Sequence, residues 1–260
     1  INTFPEAGNA APWHSAVDDG AAFGVDAIIL ADVGLLAYTA SKHPDLRRHL
    51  SVQASASNPE AIRFYQEEFD VKRVVLPRVL TLPEISALNR EIQVESEVFV
   101  FGGLCVMAEG RCALSSYVTG QSPNTNGVCS PACAVRYEDE GDRLVSRLAD
   151  FTINTFAPGE AAGYPTLCKG RFIANGKTSY LFEDPVSLNA ATMLQDLAAA
   201  GVSGLKIEGR QRGKAYVAKV VTSFRRSIDS THDSNVEVDD LISVTEGQRR
   251  TAGAYDKTWR

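Results

Sequence analysis

The chain has 260 residues, of which 44% are hydrophobic and 22% are charged, so it is long enough to bury a full core. Its formal net charge of −6 argues against broad, sequence-blind binding of nucleic acid, because phosphate neutralisation needs an excess of Lys and Arg. Local basic stretches still leave a single RNA base open as a small target. The sequence shows no apolar signal core and no membrane-spanning stretch, so the predicted compartment is the reducing cytoplasm.

The first hundred residues alternate between helical and strand patterns. Asn58-Pro59-Glu60 is typical of a helix start, and Thr81 with Glu84 predicts a capping box. Short apolar runs lie between the helical stretches, which predicts parallel βαβ units. The pattern predicts helices over 10–23, 33–41, 58–69 and 81–92, and strands over 26–31, 50–54, 73–76 and 95–101.

After residue 101 the alternation stops and the cysteines begin. We expect a loop over 121–127, a charged and solvated segment over 137–147, and a hairpin over 170–182 turned by Asn175-Gly176. Further strands are predicted over 151–155 and 204–207, and helices over 187–200 and 216–228. The predicted division is βα units over 1–101, a cysteine-rich region over 102–170, closing βα units over 171–230 and a polar tail over 231–260.

Four cysteines are separated by six, sixteen and thirty-eight residues: Cys105, Cys112, Cys129 and Cys168. Soft thiolates from separate loops are typical of iron–sulfur or zinc sites, although zinc sites that fold small domains show tight cysteine pairs. Cys133 lies four residues after Cys129, where a helical turn would place both on one face, or it is a small buried apolar residue. Disulfides and unrelated buried thiols are the alternatives, and an odd total of five disfavours a disulfide framework.

Four segments carry a resemblance that covers nearly the whole chain. They are Gly103 to Tyr117, Ser122 to Pro131, Tyr164 to Phe172, and Leu205 to Arg212 with its Leu-Lys-Ile-Glu-Gly-Arg-Gln-Arg sequence. These segments resemble the collagenase-like U32 peptidase family. Several members of that family are iron–sulfur proteins of oxygen-independent hydroxylation, and the likeness is to the branch that acts in ubiquinone biosynthesis.

The resemblance implies a [4Fe–4S] cluster bound by Cys105, Cys112, Cys129 and Cys168, with Cys133 outside the ligand set. It implies a parallel (β/α) barrel-like body that is incomplete at its N-terminus, with a cysteine-rich cluster-binding insertion. It also implies a heterodimer with a paralogous subunit, a lipophilic ubiquinone precursor as the ring substrate, and prephenate as a candidate oxygen donor.

An anionic donor needs cationic partners. The candidates are Arg78 after a predicted strand, Arg111 between two cysteines, and Lys206 and Arg210, which alternate with Glu208 along one strand. Each of them could instead be an ordinary ion-pair or surface residue. The four histidines are scattered, and the one beside the 50–54 strand, at position 49, has no orienting partner in the sequence.

The predicted function is therefore the iron–sulfur subunit of an oxygen-independent hydroxylase. Three alternatives stay open: an RNA-base hydroxylase of the same family, a collagenase-like peptidase and a non-catalytic scaffold. The sequence shows neither a His-Glu-x-x-His helix nor a Gly-x-Ser-x-Gly elbow, so it offers the peptidase alternative no catalytic motif.

Overall fold

A computed structural model describes residues 1–105, 107, 111–209, 212–230 and 238–256. The α-helices are α1 (Ala11–Ala22), α2 (Val33–Lys42), α3 (Pro59–Phe69), α4 (Leu82–Asn89), α5 (Ala113–Thr119), α6 (Pro123–Asn126), α7 (Leu194–Ala199) and α8 (Lys214–Asp229). The strands are β1 (Ala27–Leu30), β2 (Arg47–Leu50), β3 (Val71–Val75), β4 (Glu95–Gly103), β5 (Val135–Glu140), β6 (Arg143–Leu148), β7 (Phe151–Phe156), β8 (Arg171–Ala174), β9 (Lys177–Tyr180), β10 (Ser187–Asn189), β11 (Gly204–Ile207) and β12 (Arg250–Thr251).

The chain divides into two compact units. The first contains Ile1–Asn2, Asn9–Leu104 and Val186–Arg260, and the second contains Thr3–Gly8 and Cys105–Pro185. All five cysteines lie in the second unit, and all are free thiols. This unit also takes in the β8–β9 hairpin, which the sequence alone groups with the closing βα units.

The first unit is built on a sheet with the strand order β1-β2-β3-β4-β10-β12, in which β11 also pairs with β4. The pairs β1–β2, β2–β3, β3–β4 and β4–β11 are all parallel, which confirms the predicted βαβ units. In the described residues no pairing joins β1 to β12. The parallel α/β sheet is therefore confirmed and a closed barrel is not.

Local sequence accounts for most helix boundaries in this unit. The Asn58 side chain accepts a hydrogen bond from the Ala61 amide at 2.8 Å, and α3 begins with Pro59. Thr81 and Glu84 form the predicted capping box at the start of α4. The helices bury apolar side chains such as Ile62 and Ile85 in one hydrophobic core shared with the sheet.

Two predicted elements of the first unit are wrong. The strand expected over 50–54 is β2 (Arg47–Leu50), because the Ser51 side chain accepts from the Gln53 amide and starts a 3₁₀ turn over Val52–Ala54. The helix expected over 187–200 begins later, since Ser187–Asn189 pairs antiparallel with the end of β4. In that second case a buried strand pairing outweighs helical propensity.

The second unit contains the antiparallel sheet β5-β6-β7, the predicted β8–β9 hairpin, and a small core of Val118, Leu148, Ile153 and Leu167. The segment over 137–147, expected to be a solvated stretch, is most of the β5–β6 hairpin. Its charged side chains pair across the strands, as Arg147 does with Glu138 at 2.6 Å. The loop expected over 121–127 contains the short helix α6.

No helix in the part of the chain that the structure describes combines the length and the apolar character needed to cross a membrane.

Candidate cluster-binding cysteines and polar sheet face

Cys112 immediately precedes helix α5 and caps it. The Ser115 amide donates a hydrogen bond to the Cys112 Sγ at 3.4 Å, where a serine or aspartate oxygen would usually accept. The backbone therefore holds the Cys112 sulfur in a fixed position at the start of α5.

Cys168 lies in the 3₁₀ turn Leu167–Lys169 and is partly buried. Burial raises the pKa of the Cys168 thiol to about 12; Lys169 opposes this rise, while Glu183 and the thiols of Cys105 and Cys129 add to it. Three of the four predicted ligands are thus close enough to interact electrostatically. Without a cation, this thiol stays protonated at neutral pH.

Within the described residues, no three His, Cys, Asp or Glu side chains form a metal-binding group. The four predicted ligands fit a sulfur-ligated centre in donor chemistry, because all belong to one unit and soft thiolates suit iron–sulfur clusters and zinc. The expectation that Cys133 is a small buried apolar residue is wrong, and the α-helical turn expected to join it to Cys129 is not formed. Cys133 lies in the 3₁₀ turn Ala132–Ala134, with no α-helix joining it to Cys129, and it is exposed.

Two substrate-binding candidates meet at the C-terminal edge of the parallel sheet of the first unit. Arg78 follows β3 and Glu208 follows β11, and the Arg78 Nη2 lies 3.5 Å from a Glu208 carboxylate oxygen. The Arg78 guanidinium also stacks on the ring of Phe99, 3.4 Å from its centroid. Ligands of open parallel sheets bind at this edge, so the position suits a binding site.

Lys206 belongs to a row of ion pairs on the same sheet, which we call the polar ladder. Its Nζ donates to Glu97 at 2.8 Å. Arg73 bridges two carboxylates, with its guanidinium 3.2 Å from Glu97 and 2.6 Å from Glu95. Arg47 extends the row by pairing with Glu95 at 2.7 Å. Because residues two apart on a strand share a face, alternate positions of β2, β3, β4 and β11 supply this row.

His49 lies beside the polar ladder on β2. The Arg47 Nε donates a hydrogen bond to the His49 Nε2 at 3.0 Å, which is the orienting contact that the sequence did not reveal. Burial lowers the pKa of His49, and the nearby charges of Arg73 and Arg47 lower it further. The imidazole is therefore neutral at physiological pH.

The two remaining substrate-binding candidates are Arg111 and Arg210. Arg111 is in the second unit, where its guanidinium packs 4.2 Å from the ring centroid of Phe4. Arg210 lies outside the described residues, as does His232. His43 contacts Asp18 at 2.7 Å between α1 and the end of α2, which agrees with a structural role near the surface.

Sequence reasoning missed four polar side chains of this sheet face: Arg47, Arg73, Glu95 and Glu97. The signal was present as charged residues at alternate positions in otherwise apolar strands. In β2 the misplaced strand boundary concealed it. A sheet whose second face is apolar would carry Val, Ile or Leu at these positions.

A parallel α/β sheet with a polar C-terminal edge, joined to a unit that carries five cysteines, defines the class of protein. The chain belongs to peptidase family U32, whose family model matches residues 1–253. This agrees with the family resemblance of the cysteine segments, whereas the comparisons do not single out the ubiquinone-biosynthesis protein UbiU within the family.

The similar proteins include enzymes named for RNA hydroxylation. The chain is 32% identical to the tRNA hydroxylation protein P of Escherichia coli over 243 residues, which cover 86% of this chain and 53% of that protein. It is 27% identical to the E. coli 23S rRNA 5-hydroxycytidine C2501 synthase, over 95% of this chain and 32% of that protein.

A third relative is the collagenase of Porphyromonas gingivalis, at 27% identity over 88% of this chain and 50% of that protein. The chain thus spans about half the length, or less, of these relatives. The solved structure of the U32 peptidase Mk0906 aligns with 35% of this chain and 37% of its own, at 21% identity and a TM-score of 0.30, an overlap too small to bear on the fold.

Proposed function

We propose that this chain is the iron–sulfur part of an oxygen-independent ring hydroxylase, with a [4Fe–4S] cluster held by Cys105, Cys112, Cys129 and Cys168. The observation that carries the proposal is the gathering of these four thiols in one compact unit of a chain whose relatives are named for hydroxylation. The amide that caps Cys112 and the mutual influence of the other three thiols support it.

Replacing a ring hydrogen with a hydroxyl group whose oxygen is at the oxidation level of water removes two electrons and two protons. The reaction therefore requires an oxygen donor other than O2 and a separate redox carrier that takes up the two electrons. A cluster ligated by four cysteines has no open iron position, so its chemistry in this protein would be electron transfer. The chain's own residues bind and orient the reactants. Arg78 presents a guanidinium that Phe99 and Glu208 hold in place, and such a planar cation suits a carboxylate on an oxygen donor such as prephenate.

The ring substrate that we favour is a base in RNA, because the relatives at 32% and 27% identity are named for tRNA and rRNA hydroxylation. The second candidate is a ubiquinone precursor, acted on together with a UbiV-like paralogous subunit. The net charge of −6 supports this candidate, since a protein that grips a long RNA needs an excess of cationic side chains.

The deciding experiment compares the two substrates with one preparation. The full-length protein is purified anaerobically, and its iron and sulfide are counted. It is then incubated with prephenate, an electron-accepting redox dye and either unmodified tRNA or, together with the paralogous subunit, a polyprenylated phenol. Mass spectrometry then measures the gain of one oxygen atom, and Cys129→Ala is the control. Hydroxylated tRNA supports the favoured substrate, a hydroxylated phenol supports the second, and no product with either substrate from the cluster-loaded protein contradicts ring hydroxylation.

A further inference from the structure

His49 has a fixed tautomer. A guanidinium nitrogen can only donate, so the 3.0 Å contact from the Arg47 Nε requires a lone pair on the His49 Nε2. The single proton of the neutral ring must then be on Nδ1. Two features lower the pKa of His49 and favour the neutral ring. The residue is only 8% exposed, and the positive charges of Arg73 and Arg47 outweigh the opposite influence of Glu97 and Glu95.

Among the described residues, the imidazole ring makes one hydrogen bond, through Nε2, and the Nδ1–H group has no acceptor there. Two carboxylates act electrostatically on His49, those of Glu97 and Glu95, and both are already engaged by arginine or lysine. His49 thus supplies a donor, whereas the carboxylates of the polar ladder are already occupied by cations.

The polar ladder beside His49 is partly exposed to solvent. The side chains of Arg47 and Arg73 are 39% and 28% exposed, so solvent reaches the residues that flank the imidazole. A ligand that binds here meets the neutral Nδ1–H group of His49, with the guanidinium groups of Arg47 and Arg73 nearby. The complementary group is an oxygen that carries partial negative charge, such as a ring carbonyl or a phenol oxygen.

We propose that the His49 Nδ1–H donates a hydrogen bond to an oxygen substituent of the ring that the enzyme hydroxylates, with Arg47 as the residue that sets the tautomer. This assignment rests on the proposed function and names one contact through which the ring is held. A donor aimed at a ring oxygen also stabilises negative charge that develops there when the ring is attacked. Arg47 acts through His49 and is a positioning residue.

The purely structural alternative is that His49 only fills space beside the polar ladder. His49→Asn retains a donor near the Nδ1 position, whereas His49→Phe keeps the ring shape without a donor. Arg47→Lys keeps the charge at position 47 but removes the Nε donor. A space-filling role predicts that His49→Phe binds ring ligands like the wild type, whereas a donor role predicts that it does not.

The test uses imidazole ¹⁵N resonances of the full-length protein, in which the four histidines are few enough for the His49 signal to be assigned from its loss in His49→Asn. Uridine and phenol serve as the ring probes. We expect an Nδ1–H tautomer in the wild type, a mixture of tautomers in Arg47→Lys, and a shift of the His49 Nδ1 signal with at least one probe. An Nε2–H tautomer, or a signal that neither probe moves, overturns the proposal.

Kinetics separate this inference from the proposed function. With the substrate that is hydroxylated, we expect His49→Phe to raise KM about tenfold, as loss of one hydrogen bond does, and His49→Asn to stay within about threefold. Unchanged KM and kcat in His49→Phe would contradict the contact while leaving the hydroxylase proposal standing. Conversely, a probe-induced shift in a protein that hydroxylates neither substrate would support the binding position and contradict the reaction.

Discussion

Gly102 and Glu208 approach each other more closely than any other residue at position 102 would allow. A Cβ atom at Gly102 would lie 2.5 Å from the Cβ of Glu208 and 3.0 Å from one of its carboxylate oxygens. Gly102 also has φ +136°, a conformation that favours glycine. The end of β4 thereby makes room for the carboxylate that pairs with Arg78.

Gly102→Ala should destabilise the protein by about 3 kcal/mol, because it combines backbone strain with a clash against the Cβ of Glu208, which no side-chain rotation can move away. Urea unfolding measures this effect. Gly24→Ala is the matched control: it has φ +68° with no atom within 4 Å of the added Cβ, so it should cost only the strain, about 1 kcal/mol. Equal effects of the two substitutions would show that Glu208 moves away freely.

Arg48→Met should destabilise the protein by about 3 kcal/mol. The Arg48 side chain is 4% exposed and donates to the carbonyl oxygens of Phe69 at 2.7 Å and Leu46 at 2.8 Å, with a further bond to Asp70 at 3.1 Å. Methionine fills the space and leaves these acceptors without a donor. The free energy of unfolding of Arg63→Met, at an exposed position of α3, should change by less than about 0.5 kcal/mol. A similarly small change for Arg48→Met would contradict the role we assign to this side chain.

Protonation of the Glu95 carboxylate should make the protein less stable in acid. Its hydrogen bonds with Arg73 and Arg47 lower the pKa of its carboxyl group below the ordinary value of 4.5. A lowered pKa in the folded state adds stability that is fully present above the unfolded value and is lost as the pH falls through the folded value. Urea midpoints measured from neutral pH to about pH 3 should therefore fall less steeply in Glu95→Gln than in the wild type.

Glu91→Gln is the control for that series, because Glu91 is exposed and makes no ion pair among the described residues. It should retain the wild-type dependence on pH. If the two variants had the same acid profile, the polar ladder would contribute nothing to acid stability.

Cys105→Ala, Cys112→Ala, Cys129→Ala and Cys168→Ala should each lose most of the bound iron, whereas Cys133→Ala should retain it. The expected content of the anaerobically purified wild type is about four irons and four sulfides per chain, with an electron paramagnetic resonance signal after reduction. Iron loss in Cys133→Ala alone, or stoichiometric zinc in the wild type, would contradict the proposed ligand set.

Local sequence was sufficient for elements whose signals are local. The Thr81–Glu84 capping box, the Asn58-Pro59 helix start and the Asn175-Gly176 turn all lie where the sequence predicts them. The turn residues Asn175 and Gly176 have φ values of +52° and +72°, as a tight hairpin requires. Short-range chemistry determines these features regardless of what packs against them.

Strand boundaries that depend on distant partners were not predictable in this way. Ser187–Asn189 reads as helical, yet it pairs with β4 more than eighty residues earlier in the chain. Arg48 lies outside the strand that the sequence predicts over 50–54, but the carbonyl oxygens around the ends of α2 and α3 accept hydrogen bonds from its guanidinium inside the fold. A buried charge is tolerated only where such partners converge, which no local pattern reveals.

The sequence by itself determined the family, the parallel βαβ character and the four cysteine candidates, because these depend on residue type, spacing and hydrophobic period. Only the tertiary structure decided that Arg78 meets Glu208, that Lys206 joins Glu97, and that Arg47 orients His49. Ion pairs and hydrogen bonds form between side chains that neighbouring strands bring within a few ångströms. The register of those strands, which is set by packing across the whole sheet, decides which charges meet.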